Sequence, residues 1–104
     1  MKLWWVEDET DLREVMESLL EDILPDSVER KLVEHWKFCE AVEGDIVIHD
    51  IDGVGDPVKK AGIYYYCCSG NLDFNIDLPK PFLPVQLESL LQKHFEIKTR
   101  NKAS

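Results

Sequence analysis

Short apolar runs that stop on a polar side chain recur along this chain, and few folds accommodate them. Leu3-Trp4-Trp5-Val6 runs into Glu7-Asp8, Ile46-Val47-Ile48-His49 into Asp50, and Ile63 to Cys68 into Ser69, while Lys80 sits in Leu78-Pro79-Lys80-Pro81-Phe82. Compact apolar runs of this length read as strands buried on both faces. Helical patterns separate them. Leu12, Val15, Met16, Leu19, Leu20 and Ile23 recur at three and four residues. Asp11 followed by Glu14 has capping-box spacing, and Pro25 stops the helix. Strands alternating with helices predict an α/β domain with mainly parallel strands. The carboxyl ends of such strands share one crevice, and ligands bind there.

The remaining elements follow from local chemistry. Val28–Val33 reads as a polar edge strand, Trp36–Val42 as a short helix stopped by Gly44, and Asp45–His49 as a central strand. Ile51–Gly62 is mostly loop, with room for one turn at Pro57–Ala61. Ser69–Phe74 reads as loop and Asn75–Leu78 as a short strand. Pro84 opens a last helix carrying Val85, Leu87, Leu90, Leu91, His94 and Phe95. A helical crossover needs about a dozen residues. The third crossover therefore has room for about one turn and the fourth for none, so one sheet face is thinly covered. The expected division is a domain over residues 1–97 and a polar, flexible tail over 98–104.

The chain has 104 residues and a formal net charge of −9, enough for one domain. The tail holds Lys98, Arg100 and Lys102 and no acid, so the domain itself is more acidic still. That charge repels a phosphate backbone, which argues against nucleic-acid binding. No apolar stretch approaches the ~20 residues that span a bilayer, and the N-terminus lacks the pattern of a secretory signal. Cys39, Cys67 and Cys68 form no framework and read as free, buried thiols in a reducing compartment. His35, His49 and His94 show no ligand spacing, and the His49 side chain is expected on the face away from Asp50. The expectation is a soluble, cytoplasmic protein.

Glu7-Asp8 places two carboxylates where a strand ends, which is costly unless a cation neutralises them. Mg²⁺ takes one or two carboxylates plus water and phosphate oxygens, and Asp50 would add a ligand. A carboxylate beside a bound phosphoryl donor is placed for in-line attack, giving an aspartyl phosphate. Lys80 would supply a fixed charge and Ser69 a hydroxyl donor to the phosphoryl oxygens. Each residue alone has a blander reading: a helix-dipole partner, a strand end, a turn, a surface lysine. The signal is the set in this order.

That set resembles the receiver domain of two-component response regulators. Leu3 to Glu9 looks like the family's first strand and acidic pair, and Asp45 to Asp52 like its third strand. Ser69-Gly70 matches its hydroxyl residue and small neighbour, and Leu78 to Phe82 its lysine motif. The resemblance implies a flavodoxin-like (βα)5 doubly wound parallel sheet, strand order 2-1-3-4-5, here with the third helix reduced and the fourth missing. It implies Asp50 as phospho-acceptor, with Ser69 and Lys80 assisting and a cis Lys80–Pro81 bond. Mg²⁺ would be held by Glu7, Asp8, Asp50 and the backbone carbonyl of Asp52. A histidine kinase or phosphotransfer protein would be the donor, meeting the first helix and the loop after Lys80, and an unknown output protein the recipient. Such a domain catalyses its own phosphorylation and dephosphorylation.

The chain also departs from that family. Asp77 stands where an aromatic switch residue is usual, and Met-Pro is missing after the phosphorylated strand. A pseudo-receiver, an interaction module not switched by phosphate, is the alternative. A homodimer would seal two thin faces against each other. A remoter resemblance, to haloacid-dehalogenase-type phosphatases, rests on Asp50-Ile51-Asp52-Gly53-Val54. There Asp50 would be nucleophile and Asp52 general acid, but the later acidic pair those enzymes need is not evident.

Overall fold

The computed structural model describes residues 1–51, 54–55, 59–70 and 76–96. The expected tail, Asp52, and most of the segments around Pro57 and Asn71–Asn75 lie outside the described residues. The elements run β1 (Lys2–Val6), α1 (Thr10–Ile23), β2 (Glu29–Val33), β3 (Ile46–His49), β4 (Tyr64–Ser69), β5 (Leu78–Pro79) and α2 (Pro84–Leu91). The strands form one five-stranded sheet in the order β2-β1-β3-β4-β5. Every pairing is parallel. This is an α/β fold compatible with a flavodoxin-like one.

Alternation along the strands builds two unequal layers. Leu3, Trp5, Ile46, Ile48, Cys68 and Leu78 face Met16, Leu20 and Ile23 of α1 and Leu87, Leu90 and Leu91 of α2 in one buried cluster. Both α-helices therefore cover the same face. On the other face Trp4, Val6 and Val47 are buried, beside Tyr65 of β4, beneath Ala41, Val54, Trp36, Cys39 and Ile63. Among the described residues that cover is loop and one 3-10 turn, Trp36–Phe38.

Four local expectations need correcting. Asp11 does not cap α1: the helix starts at Thr10, with Glu9 as an N-cap that makes no side-chain cap bond. Instead the Glu9 N–H donates to Glu7 Oε2 (3.3 Å), so the acidic pair sets the helix entry. Trp36–Val42 is not a helix beyond the 3-10 turn. Trp36, Cys39 and Ala41 turn inward while Phe38 and Val42 stay exposed, a spacing no single helical face provides. Ser69 belongs to β4 rather than to the loop after it. The last strand starts at Leu78 because Asp77 substitutes for a strand residue: its N–H donates to Cys67 O and its Oδ2 accepts from Cys67 N, both at 2.9 Å.

The lower end of the sheet is closed by Asp45. Its carboxylate is 3% exposed and accepts from Lys2 N (2.9 Å), Trp4 Nε1 (3.1 Å) and Val42 N (3.0 Å). Burial pushes its carboxyl up, but these donors and the N-terminal ammonium hold it below the usual range. Gly62, at φ +82°, is required here: a Cβ would lie 2.5 Å from the Glu43 side chain.

Candidate functional site

Ladder bonds run one residue past three strands and deliver the site residues. Glu7 N–H donates to Val33 O of β2, Asp50 N–H to Val6 O of β1, and Lys80 N–H to Ser69 O of β4, each at 2.9 Å. Sheet order does the rest, since parallel strands all end on the same side. Lys80 reaches back across β4 and β3 to the β1 end. There its Nζ lies 2.8 Å from Glu7 Oε1 and 3.5 Å from Asp50 Oδ1. The Lys80–Pro81 bond is cis. Gly70 packs beside the lysine backbone, where a Cβ would meet Lys80 O at 3.5 Å, an ordinary contact.

Glu7, Asp8, Asp50 and Lys80, spread over more than seventy residues of sequence, are thus brought together. One carboxylate oxygen from each of Glu7, Asp8 and Asp50 lies within 4.8 Å of the other two. Oxygens on one octahedral Mg²⁺ are at most ~4.2 Å apart, so a small carboxylate rotation, or a water bridging Glu7, makes the donor set fit. Glu7 and Asp50 are buried and Asp8 is exposed, which gives an ion access from solvent. Ser69 is fully buried at the end of β4, and its carbonyl holds Lys80 in place. Asp52 lies outside the described residues.

The electrostatics match a site short of positive charge. Burial pushes the Glu7 carboxyl above its usual value, Lys80 opposes this, and the Asp50 carboxylate reinforces it. Burial pulls Lys80 down, but the hydrogen bond and charges of Glu7 and Asp50 carry it above its usual value, so the ammonium stays charged. Burial likewise pushes the Cys68 thiol up to about 12, which leaves it a poor nucleophile.

Sequence reasoning missed two contributors. Arg13 Nη1 donates to the Glu7 carbonyl (2.6 Å) and Nη2 to Thr10 Oγ1 (3.1 Å), clamping the turn that carries the acidic pair. Its position one helical turn past Glu9 was the available signal. The second is His49. Its ring packs on the face away from Asp50, against Trp36, as strand alternation predicts. But its Nδ1 also bonds Asp50 O at 3.0 Å.

An apolar groove of about 490 Å³ adjoins the site, lined by Leu12, Val15, Met16 and Leu19 of α1 and by Lys80, Pro81, Phe82 and Pro84. Among the described residues, no helix is long and apolar enough to cross a membrane. No family model, curated protein or solved structure matches the chain.

Proposed function

We propose that this protein is a receiver of the response-regulator type, with a flavodoxin-like fold whose third helix is reduced and fourth missing. It accepts a phosphoryl group on Asp50 from a histidine kinase or phosphotransfer protein in the cytoplasm. The observation that carries this reading is the meeting of Lys80 Nζ with Glu7 and Asp50 at the carboxyl ends of the strands. Bound Mg²⁺ would offset charge on the phosphoryl oxygens as they transfer. Glu7, Asp8 and Asp50 would hold it, with the Asp52 carbonyl as a further ligand.

Within the chain, an Asp50 carboxylate oxygen attacks phosphorus in line as the P–N bond to the donor imidazole breaks. The imidazole leaves with the bond's electron pair and takes a proton from solvent. Lys80 needs only a small movement from Glu7 to neutralise a phosphoryl oxygen, and Ser69 donates its hydroxyl to another. Catalysis of this kind is positioning plus charge stabilisation. The groove between α1 and the Pro81–Pro84 turn suits the donor protein, because it is apolar and opens beside Lys80.

The pseudo-receiver is the second reading, and Asp77 favours it. That side chain is occupied in bonding Cys67 N–H, where the family's aromatic switch would stand. A phosphatase of the haloacid-dehalogenase type is disfavoured, since the acids gathered around Asp50 precede it in sequence. Incubation with acetyl phosphate and Mg²⁺, read by intact mass, separates the two leading readings. A gain of about 80 Da that Asp50→Asn abolishes marks the receiver; an unchanged mass marks the pseudo-receiver.

A further inference from the structure

We propose that His49 is a positioning residue for the Asp50 carboxylate, braced by Trp36 from the face opposite α1 and α2. Its effect on phosphorylation rests on the receiver reading; its effect on geometry does not. His49 is 4% exposed. Its Nδ1 lies 3.0 Å from the Asp50 carbonyl oxygen, and a carbonyl only accepts, so Nδ1 carries the hydrogen.

The consequence follows from peptide planarity. The Asp50 C=O and the Ile51 N–H belong to one trans peptide and point in opposite directions. Gripping the carbonyl therefore aims the Ile51 N–H, which donates to Asp50 Oδ1 at 2.8 Å. The imidazole is in this way a lever on the carboxylate that faces Lys80. Trp36 holds the lever. Its ring centroid lies 5.1 Å from that of His49, and its Nε1 donates to Gly55 O at 2.9 Å. Gly55 N–H in turn donates to Ile51 O at 3.0 Å. One indole–imidazole pair thus grips the turn after Asp50 at both ends. A side chain present only to fill space would need neither bond.

The test compares His49→Leu, which keeps bulk and loses the donor, with His49→Asn, whose amide nitrogen can stand in for Nδ1. Amide hydrogen exchange at Ile51 reads the geometry without any phosphotransfer. His49→Leu should speed that exchange about fivefold, the loss of one hydrogen bond. It should also slow labelling by acetyl phosphate about tenfold, as loss of an outer positioning contact does. His49→Asn should restore both. Unchanged Ile51 exchange in folded His49→Leu, or His49→Asn behaving no better than His49→Leu, overturns the proposal. So does a long-range ¹H–¹⁵N spectrum showing His49 Nδ1 without a hydrogen. If His49→Leu does not fold, Trp36→Leu takes its place: faster Ile51 exchange supports the brace and unchanged exchange overturns it. If the wild type takes no label, the receiver reading fails while Ile51 exchange still judges the brace.

Discussion

Asp45 shows how one buried carboxylate can serve the fold rather than the chemistry. It joins the first residue of β1, the Trp4 indole and the turn before β3. Asp45→Ala would strand a buried indole N–H and two backbone N–H groups, and should lower stability by about 2–3 kcal/mol in denaturant unfolding. Its folded-state pKa is depressed. Its contribution is therefore complete above the unfolded value of about 3.9 and is lost as pH falls through the lower folded value. The acid limb of wild-type stability should flatten in Asp45→Asn, measured by melting temperature against pH. Gly70 is the opposite case. It needs no positive φ and a methyl group meets only ordinary contacts, so Gly70→Ala should raise the denaturant midpoint by about 0.4–1 kcal/mol equivalent. The acids and the lysine were legible because residue type and order carry their chemistry. The bonds of Asp45 and His49 were not, because a strand residue's hydrogen-bond partners depend on which strands become neighbours.

The elements divide the same way. β1 and α1 were readable because each buries a long, regular apolar pattern against its neighbours. The connection after β2 was not: Trp36, Cys39 and Ala41 are drawn inward by the sheet beneath them, and that demand overrides local propensity. The start of β5 was hidden because the Asp77 side chain imitates backbone, something periodicity does not encode. α1 keeps one apolar residue outside the core, Val15, which is 58% exposed on the groove beside Lys80. Val15→Asp should leave labelling by acetyl phosphate within about twofold, because it touches none of the reacting groups. It should weaken transfer from a phosphohistidine protein at least tenfold, as loss of an interface anchor does. Equal loss with both donors would remove the groove from the docking role.

At the scale of the molecule, strand order turns scattered residues into one site; the alternation of elements predicted only a parallel α/β sheet, and the order came with the receiver resemblance. Ion binding there should act on the whole fold. Mg²⁺ at a hundred times its dissociation constant should stabilise the protein by about 2.7 kcal/mol. Thermal melts should show a rise that Asp8→Asn or Asp50→Asn removes and that calcium-free, magnesium-free buffer with chelator reverses. Among the described residues, the sheet carries its two α-helices on one side and loops with one 3-10 turn on the other. Loosening should accordingly begin where Trp4 and Val47 lie beneath that lighter cover, so the domain breathes from one flank. A protease or a fluorescent dye would find that flank first, while the helical side still held its shape.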